Sequence, residues 1–155
     1  MQTSENHAVT IRAAVPADQI ALLEVMRRAS LANPGDREAL LANPDAFELP
    51  VEQLDAATAC VAVRDGLPVG FAVVLRREDG DAELDGLFVE PALWRIGAGR
   101  MLVERARELA LDLGAGALHV IANPHADGFY RSVGFEPSGT FQTRFGVGTV
   151  MRLGL

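Results

Sequence analysis

The chain has 155 residues, 49% of them apolar and 23% charged, a balance that sets aside disorder and supports a single folded domain over 1–155. Lys plus Arg number 14 against 21 Asp plus Glu, and the resulting net charge of −7 disfavours a nucleic-acid partner while suiting a cationic amine. With one cysteine, no apolar run long enough to span a membrane and no basic-then-apolar leader, the chain is expected to be cytoplasmic and free of disulfides and of membrane partners.

The residues up to Ala8 are polar and expected to fray. Val9 to Ala14 alternate as a first strand. Pro16-Ala17-Asp18 opens a helix, because proline fits a first turn and Asp18 complements the positive helix end. Ile20, Leu22, Leu23, Val25 and Met26 give that helix a broad apolar face to about Ala29, and Asn33-Pro34-Gly35 breaks it. Asp36 to Leu41 is expected to be a short helix, Asp45 to Pro50 irregular, and Val51 to Ala57 another short helix. Ala59 to Arg64 and Val69 to Arg76 are two strands about Asp65-Gly66, a strong hairpin signal. Cys60, in the apolar run ACVAV, is expected to be a small buried hydrophobe rather than a nucleophile.

After a turn at Arg77 to Gly80, the stretch Glu83 to Leu113 organises the rest. Leu84, Leu87, Phe88 and Val89 are the apolar run of a strand that Pro91 stops. Gly97 and Gly99 then precede a helix whose positions Leu102, Ala106, Leu109, Ala110 and Leu113 follow helical spacing up to Gly114-Ala115-Gly116. A glycine loop at a helix start offers unpaired N–H groups and the positive end of the dipole to a phosphate-bearing ligand. It lacks the Gly-Lys-Ser/Thr ending of a P-loop and the third glycine of a dinucleotide fingerprint. Ala117 to Ala122 is a buried strand after a helix, hence a parallel neighbour. Asn123 to Phe135 follows, with Phe129-Tyr130 on a short helix and Gly134-Phe135 after it. Thr140 to Arg144 and Gly148 to Leu153 close the chain as two strands. No His/Cys/Asp spacing suggests a metal and no Gly-x-Ser-x-Gly elbow suggests a serine hydrolase.

Two of these segments carry a resemblance. Trp94-Arg95-Ile96-Gly97-Ala98-Gly99 is similar to the Gln/Arg-x-x-Gly-x-Gly/Ala pyrophosphate segment of the GCN5-related N-acetyltransferases, the GNAT superfamily. Trp94 departs from the Gln/Arg position, although its backbone N–H remains able to serve. Asn123, Phe129-Tyr130 and Gly134-Phe135 resemble the family's second motif. The resemblance covers nearly all the chain from Val9. It implies an α/β (α+β) fold: a mixed, mostly antiparallel twisted sheet, splayed at a parallel pair, with helices on both faces.

The implied reaction is transfer of an acetyl group from acetyl-CoA (coenzyme A as carrier) to the amine of a small molecule by direct attack. The resemblance places the pyrophosphate on Trp94, Arg95, Ile96, Gly97, Ala98, Gly99 and Arg100, and the pantetheine along Leu87, Phe88 and Val89, with a strand N–H near Phe88 or Val89 facing the oxyanion. Asn123 and Phe129 complete the cofactor set, and Tyr130 matches the family's general acid. Its alternative is a tyrosine packed on the core, and that of Asn123 is a helix cap. Glu83 and Asp85, two apart on one strand and so on one face, are candidate bases for the incoming amine; their alternative is a polar strand edge. Glu48 is a weaker candidate for contacting substrate. His119 is expected to be a satisfied buried histidine, and His125 to touch cofactor or substrate. Three further readings stay open: an acyl-CoA-binding module without turnover, a protein or peptide N-acetyltransferase, and a homodimer.

Overall fold

The structure, a computed structural model, describes residues 8–33, 37–144 and 146–155. Pro34, Gly35 and Asp36, on which the predicted helix break and the second helix start rest, lie outside the described residues, as do most of the polar N-terminal residues. Among the described residues, seven strands form one sheet: β1 Thr10–Ala13, β2 Ala59–Arg64, β3 Leu67–Arg76, β4 Ala82–Val89, β5 Ala117–Ala122, β6 Glu136–Thr143 and β7 Gly146–Gly154. Their order is β1-β2-β3-β4-β5-β7-β6, and only the β4–β5 pair is parallel. The helices are α1 Gln19–Leu31, α2 Arg37–Ala42, α3 Ala98–Asp112 and α4 Asp127–Ser132.

Side-chain alternation on the central strands builds two cores, one on each face. Cys60, Ala62, Ala72 and Val74 meet Leu102, Val103, Ala106 and Leu109 of α3. Ala59, Val61, Phe71 and Val73 point the other way and meet Leu22, Val25 and Met26 of α1. Strands buried on both faces need apolar residues at successive positions, which is why ACVAV and GFAVV read as unbroken runs. Asp65 at φ 52° and Gly66 at φ 77° make the tight β2–β3 turn that the Asp-Gly pair predicts. At the end of α3, Gly114 takes φ 83° and the Ala115 N–H returns to the Ala110 carbonyl at 3.1 Å, a left-handed cap.

Several boundaries differ from the sequence expectation. Val51–Gln53 is a single 3-10 turn rather than a helix to Ala57, because the Asp55 carboxylate accepts the N–H groups of Ala57 at 2.7 Å and Thr58 at 3.1 Å and bends the chain. β6 begins four residues earlier than expected, at Glu136; a register shift between Pro137 and Gly139 hides its alternation. Asp18 is not merely near a helix end. It accepts both arms of the Arg12 guanidinium at 2.8 Å and the Val15 N–H at 2.9 Å, tying β1 to the α1 entry. The Arg12 bond holds its carboxyl below the ordinary range against the opposing effect of burial.

Candidate active site

β4 and β5 pair at two positions, Ala82 with Leu118 and Glu83 with His119, and then part. Their closed end is pinned by side chains. Asp81 accepts from the Gly116 N–H at 3.2 Å and lies 2.9 Å from the His119 ring, which is mostly buried and satisfied as expected. Asp79, Asp81 and His119 bring ligand-type atoms within 4.8 Å of one another, but Asp79 is paired with Arg77 at 3.1 Å and Asp81 is taken as just described.

The strands part where β4 carries a bulge. Val74 faces Leu84 and Val73 faces Gly86, so Asp85 is the extra residue. A bulge bends its strand and re-aims a side chain. Asp85 lines the cleft between the parted strands, whereas Glu83, upstream of the bulge and still paired with His119, does not. Asp85 is open to the cleft yet walled in by it, and this desolvation raises its carboxyl above the ordinary range.

The cleft holds about 1060 Å³. Leu87, Phe88 and Val89 form one wall, and Asn123, Phe129 and Tyr130 lie across it. The Glu90 N–H donates to the Val69 carbonyl at 2.8 Å. Antiparallel alternation then turns the main chain of Phe88 toward β3 and that of Leu87 and Val89 toward the gap. Of the two strand donors raised from sequence, Val89 is the one aimed at the cleft.

A 3-10 turn at Pro91–Leu93 leads into the glycine loop. Arg95 at φ 72° and Gly97 at φ 95° are both left-handed, a conformation costly for the arginine and free for the glycine. The Met101 N–H bonds the Gly97 carbonyl at 3.1 Å, so the N–H groups of Ala98, Gly99 and Arg100 precede the first helical bond and have no partner in α3. Gly99 is crowded from the other side: a Cβ there would lie 3.0 Å from the Phe129 ring. Trp94, Arg95, Gly97, Gly99 and Arg100 line the cleft, whereas Ile96 points to solvent and Ala98 packs in the core. The Trp94 N–H is not available as expected, because the 3-10 turn commits it to the Pro91 carbonyl at 3.2 Å; the indole N–H instead donates to the Val89 carbonyl at 2.8 Å. Arg100 reaches the Ser132 carbonyl at 3.2 Å.

Tyr130 is 7% exposed, held edge-on between Phe129 and Phe135 with ring centroids 5.2 and 5.4 Å away. It lines the cleft, none of the described residues bonds its hydroxyl, and burial pushes its pKa up, so the phenol stays protonated. Asn123 makes no side-chain cap and lines the cleft. Gly134 at φ 103° turns the chain so that Phe135 folds under Tyr130. His125 also lines the cleft, and Glu48 does not. Cys60 is fully buried, its thiol pushed up to about 11 by desolvation. Sequence reasoning named none of the individual residues of the far wall, which are Ala29 and Ser30 near the end of α1, Asn33 just after it, Leu40 of α2 and Thr143 of β6. They sit on separate segments, so no local pattern marks them.

Comparison with known proteins agrees with this geometry. The sequence model of the Acetyltransferase (GNAT) family matches residues 24–135. An uncharacterised N-acetyltransferase of Mycobacterium tuberculosis is 34% identical over 88 residues, 55% of this chain and 56% of that protein. The peptidyl-lysine N-acetyltransferase YjaB of Escherichia coli is 36% identical over 87 residues, 56% of this chain and 54% of its own. The chain thus matches about half the length of these curated relatives. Among solved structures, YncA of Salmonella typhimurium with its cofactor acetyl-CoA superposes with a TM-score of 0.70 at 25% identity, over 96% of this chain and 94% of that one. Among the described residues, no helix is long and apolar enough to cross a membrane.

Proposed function

The chain belongs to the GNAT acetyltransferase family, and from that premise we propose that it moves an acetyl group from acetyl-CoA to the amine of a small molecule. The observation that carries this reading is the parting of β4 and β5 after two paired positions, beside a helix start with unpaired donors. The main-chain donors of Ala98, Gly99 and Arg100 receive the pyrophosphate, and the absence of a side chain at Gly97 and Gly99 lets it approach. Leu87 and Val89 offer the gap-facing strand groups for the pantetheine amides. Acetyl-CoA supplies an activated thioester that an amine can attack directly, which agrees with the inert burial of Cys60.

The chain's residues then have three tasks. The Val89 N–H donates to the carbonyl oxygen as it gains charge, and one such donor contributes roughly 3 kcal/mol. Asp85 takes the proton that the amine must lose, directly or through one water; its raised pKa brings it nearer to neutral pH, where a base works best. The Tyr130 hydroxyl donates toward the leaving sulfur. Glu83 retains a role only if a water chain links it to the cleft.

A peptide-lysine acceptor is the second reading, favoured by the similarity to YjaB. Isothermal titration with coenzyme A and acetyl-CoA, followed by thiol release over a panel of small amines and a lysine peptide, tests both. No binding heat at millimolar titrant overturns the proposal; binding without turnover on any amine replaces it with a cofactor-holding module.

A further inference from the structure

Beside the cleft, a side-chain bridge joins two segments that each contribute one lining residue, although the bridging residues do not line the cleft themselves. Leu40 and Thr143 both line the cleft. Asn43 lies just beyond the first, and Arg144 follows the second. Arg144 forks onto Asp45, with both nitrogen–oxygen distances 3.1 Å, and reaches Asn43 Oδ1 at 2.8 Å. Asn43 is itself anchored, its side chain donating to the Ala39 carbonyl of α2 at 2.7 Å. The bridge therefore joins the chain after α2 to the end of β6, segments about a hundred residues apart in sequence.

We infer that Arg144, Asp45 and Asn43 form a strap that holds these two segments together and so sets which acceptors enter: a slim amine fits between the segments as they stand, and an acceptor carried on a polypeptide must part them. Arg144 and Asp45 are both largely solvent-exposed, with side chains 49% and 67% accessible. Such a pair is weak and screened by salt, so the strap is an openable barrier rather than a wall. Each end belongs to a segment that lines the cleft, so opening the strap widens the cleft itself. None of the three residues lines the cleft with the catalytic groups proposed above, so their effect is on access and not on the chemical step. The identity of the acceptors rests on the amine-acetylation reading; the barrier does not.

The test separates the two. A thiol introduced by Asp85→Cys reports entry to the cleft without any turnover, and native Cys60 is buried and unreactive. Alkylation is timed with iodoacetamide and with a polyethylene-glycol maleimide, with Arg144 intact and with Arg144→Ala. The strap predicts that the bulky reagent speeds up by roughly two- to fivefold on loss of Arg144 while iodoacetamide changes little, and that about 1 M salt does the same with Arg144 in place. The charge-swapped pair Asp45→Arg with Arg144→Asp should restore slow entry. In the otherwise native protein, Arg144→Ala should raise the ratio of kcat/KM for a lysine peptide over that for a small amine by a similar factor. An unchanged bulky-reagent rate overturns the strap. Absence of turnover on every amine overturns the amine reading and leaves the labelling result standing.

Discussion

Replacing Tyr130 by phenylalanine removes one oxygen from the cleft and nothing from the core. The ring is fixed by Phe129 and Phe135 at 5.2 and 5.4 Å, and those edge contacts survive the change. None of the described residues bonds the hydroxyl, so no internal partner is left unsatisfied, and stability should stay within about 0.5 kcal/mol of the parent. The catalytic cost is different. A hydrogen bond to a group gaining negative charge contributes roughly 1.5–3 kcal/mol. At about 1.4 kcal/mol per decade, kcat should fall roughly 10- to 100-fold, with the KM for acetyl-CoA little altered. Thiol release under saturating amine gives kcat, and a thermal melt of the same preparation gives stability. Because burial raises the Tyr130 pKa, the phenol remains protonated below about pH 10, so the pH profiles of parent and variant should run parallel to that point. A kcat within twofold of the parent at an unchanged melting temperature would refute the general-acid role and leave Tyr130 a core residue.

Asp85→Asn should lower kcat/KM at neutral pH by about 10²-fold. Its desolvation also has a stability sign: a carboxyl whose folded pKa is raised weakens the fold once pH climbs past its unfolded value, so the amide should melt higher at pH 7 and no higher in acid. A variant that melts higher but keeps its rate would remove Asp85 from the mechanism. Gly99→Ala places a methyl 3.0 Å from the Phe129 ring, and the displaced ring should raise the KM for acetyl-CoA by roughly tenfold, read in the same assay. Asp18→Asn breaks the fork to Arg12 and should cost roughly 2 kcal/mol at pH 7 by urea titration. The Asp18 pKa is depressed in the fold, so that contribution is present above the ordinary carboxylate pKa and lost as pH falls through the folded value; the two proteins should converge in acid.

What the amino-acid order revealed divides along a physical line. The glycine loop, the Asp-Gly hairpin and the left-handed Gly134 were legible because each is a local backbone demand that a neighbouring residue type betrays. The parallel pair followed from a helix between two apolar strands, whereas its splaying followed only from the family resemblance. The bulge at Asp85 was not legible, since ELDGLF alternates plausibly as a regular strand and only its register against Val73 and Val74 exposes the extra residue. The sequence therefore offers no ground for separating Glu83 from Asp85, which the bulge divides. The Trp94 N–H was misjudged for a similar reason: the 3-10 turn that consumes it is set by Pro91. The strap was invisible because Asn43 and Arg144 share no local pattern, and their meeting depends on the whole sheet order.

Trp94 is the sole tryptophan of the chain, 42% exposed on the cleft, with its indole N–H fastened to the strand that ends at Val89. The molecule therefore carries its own optical reporter at the place where a nucleotide-bearing ligand would settle. Near-ultraviolet excitation above the tyrosine band yields emission from this one ring. A shift of that emission on titration registers filling of the cleft directly, without a label, a coupled enzyme or a chosen acceptor.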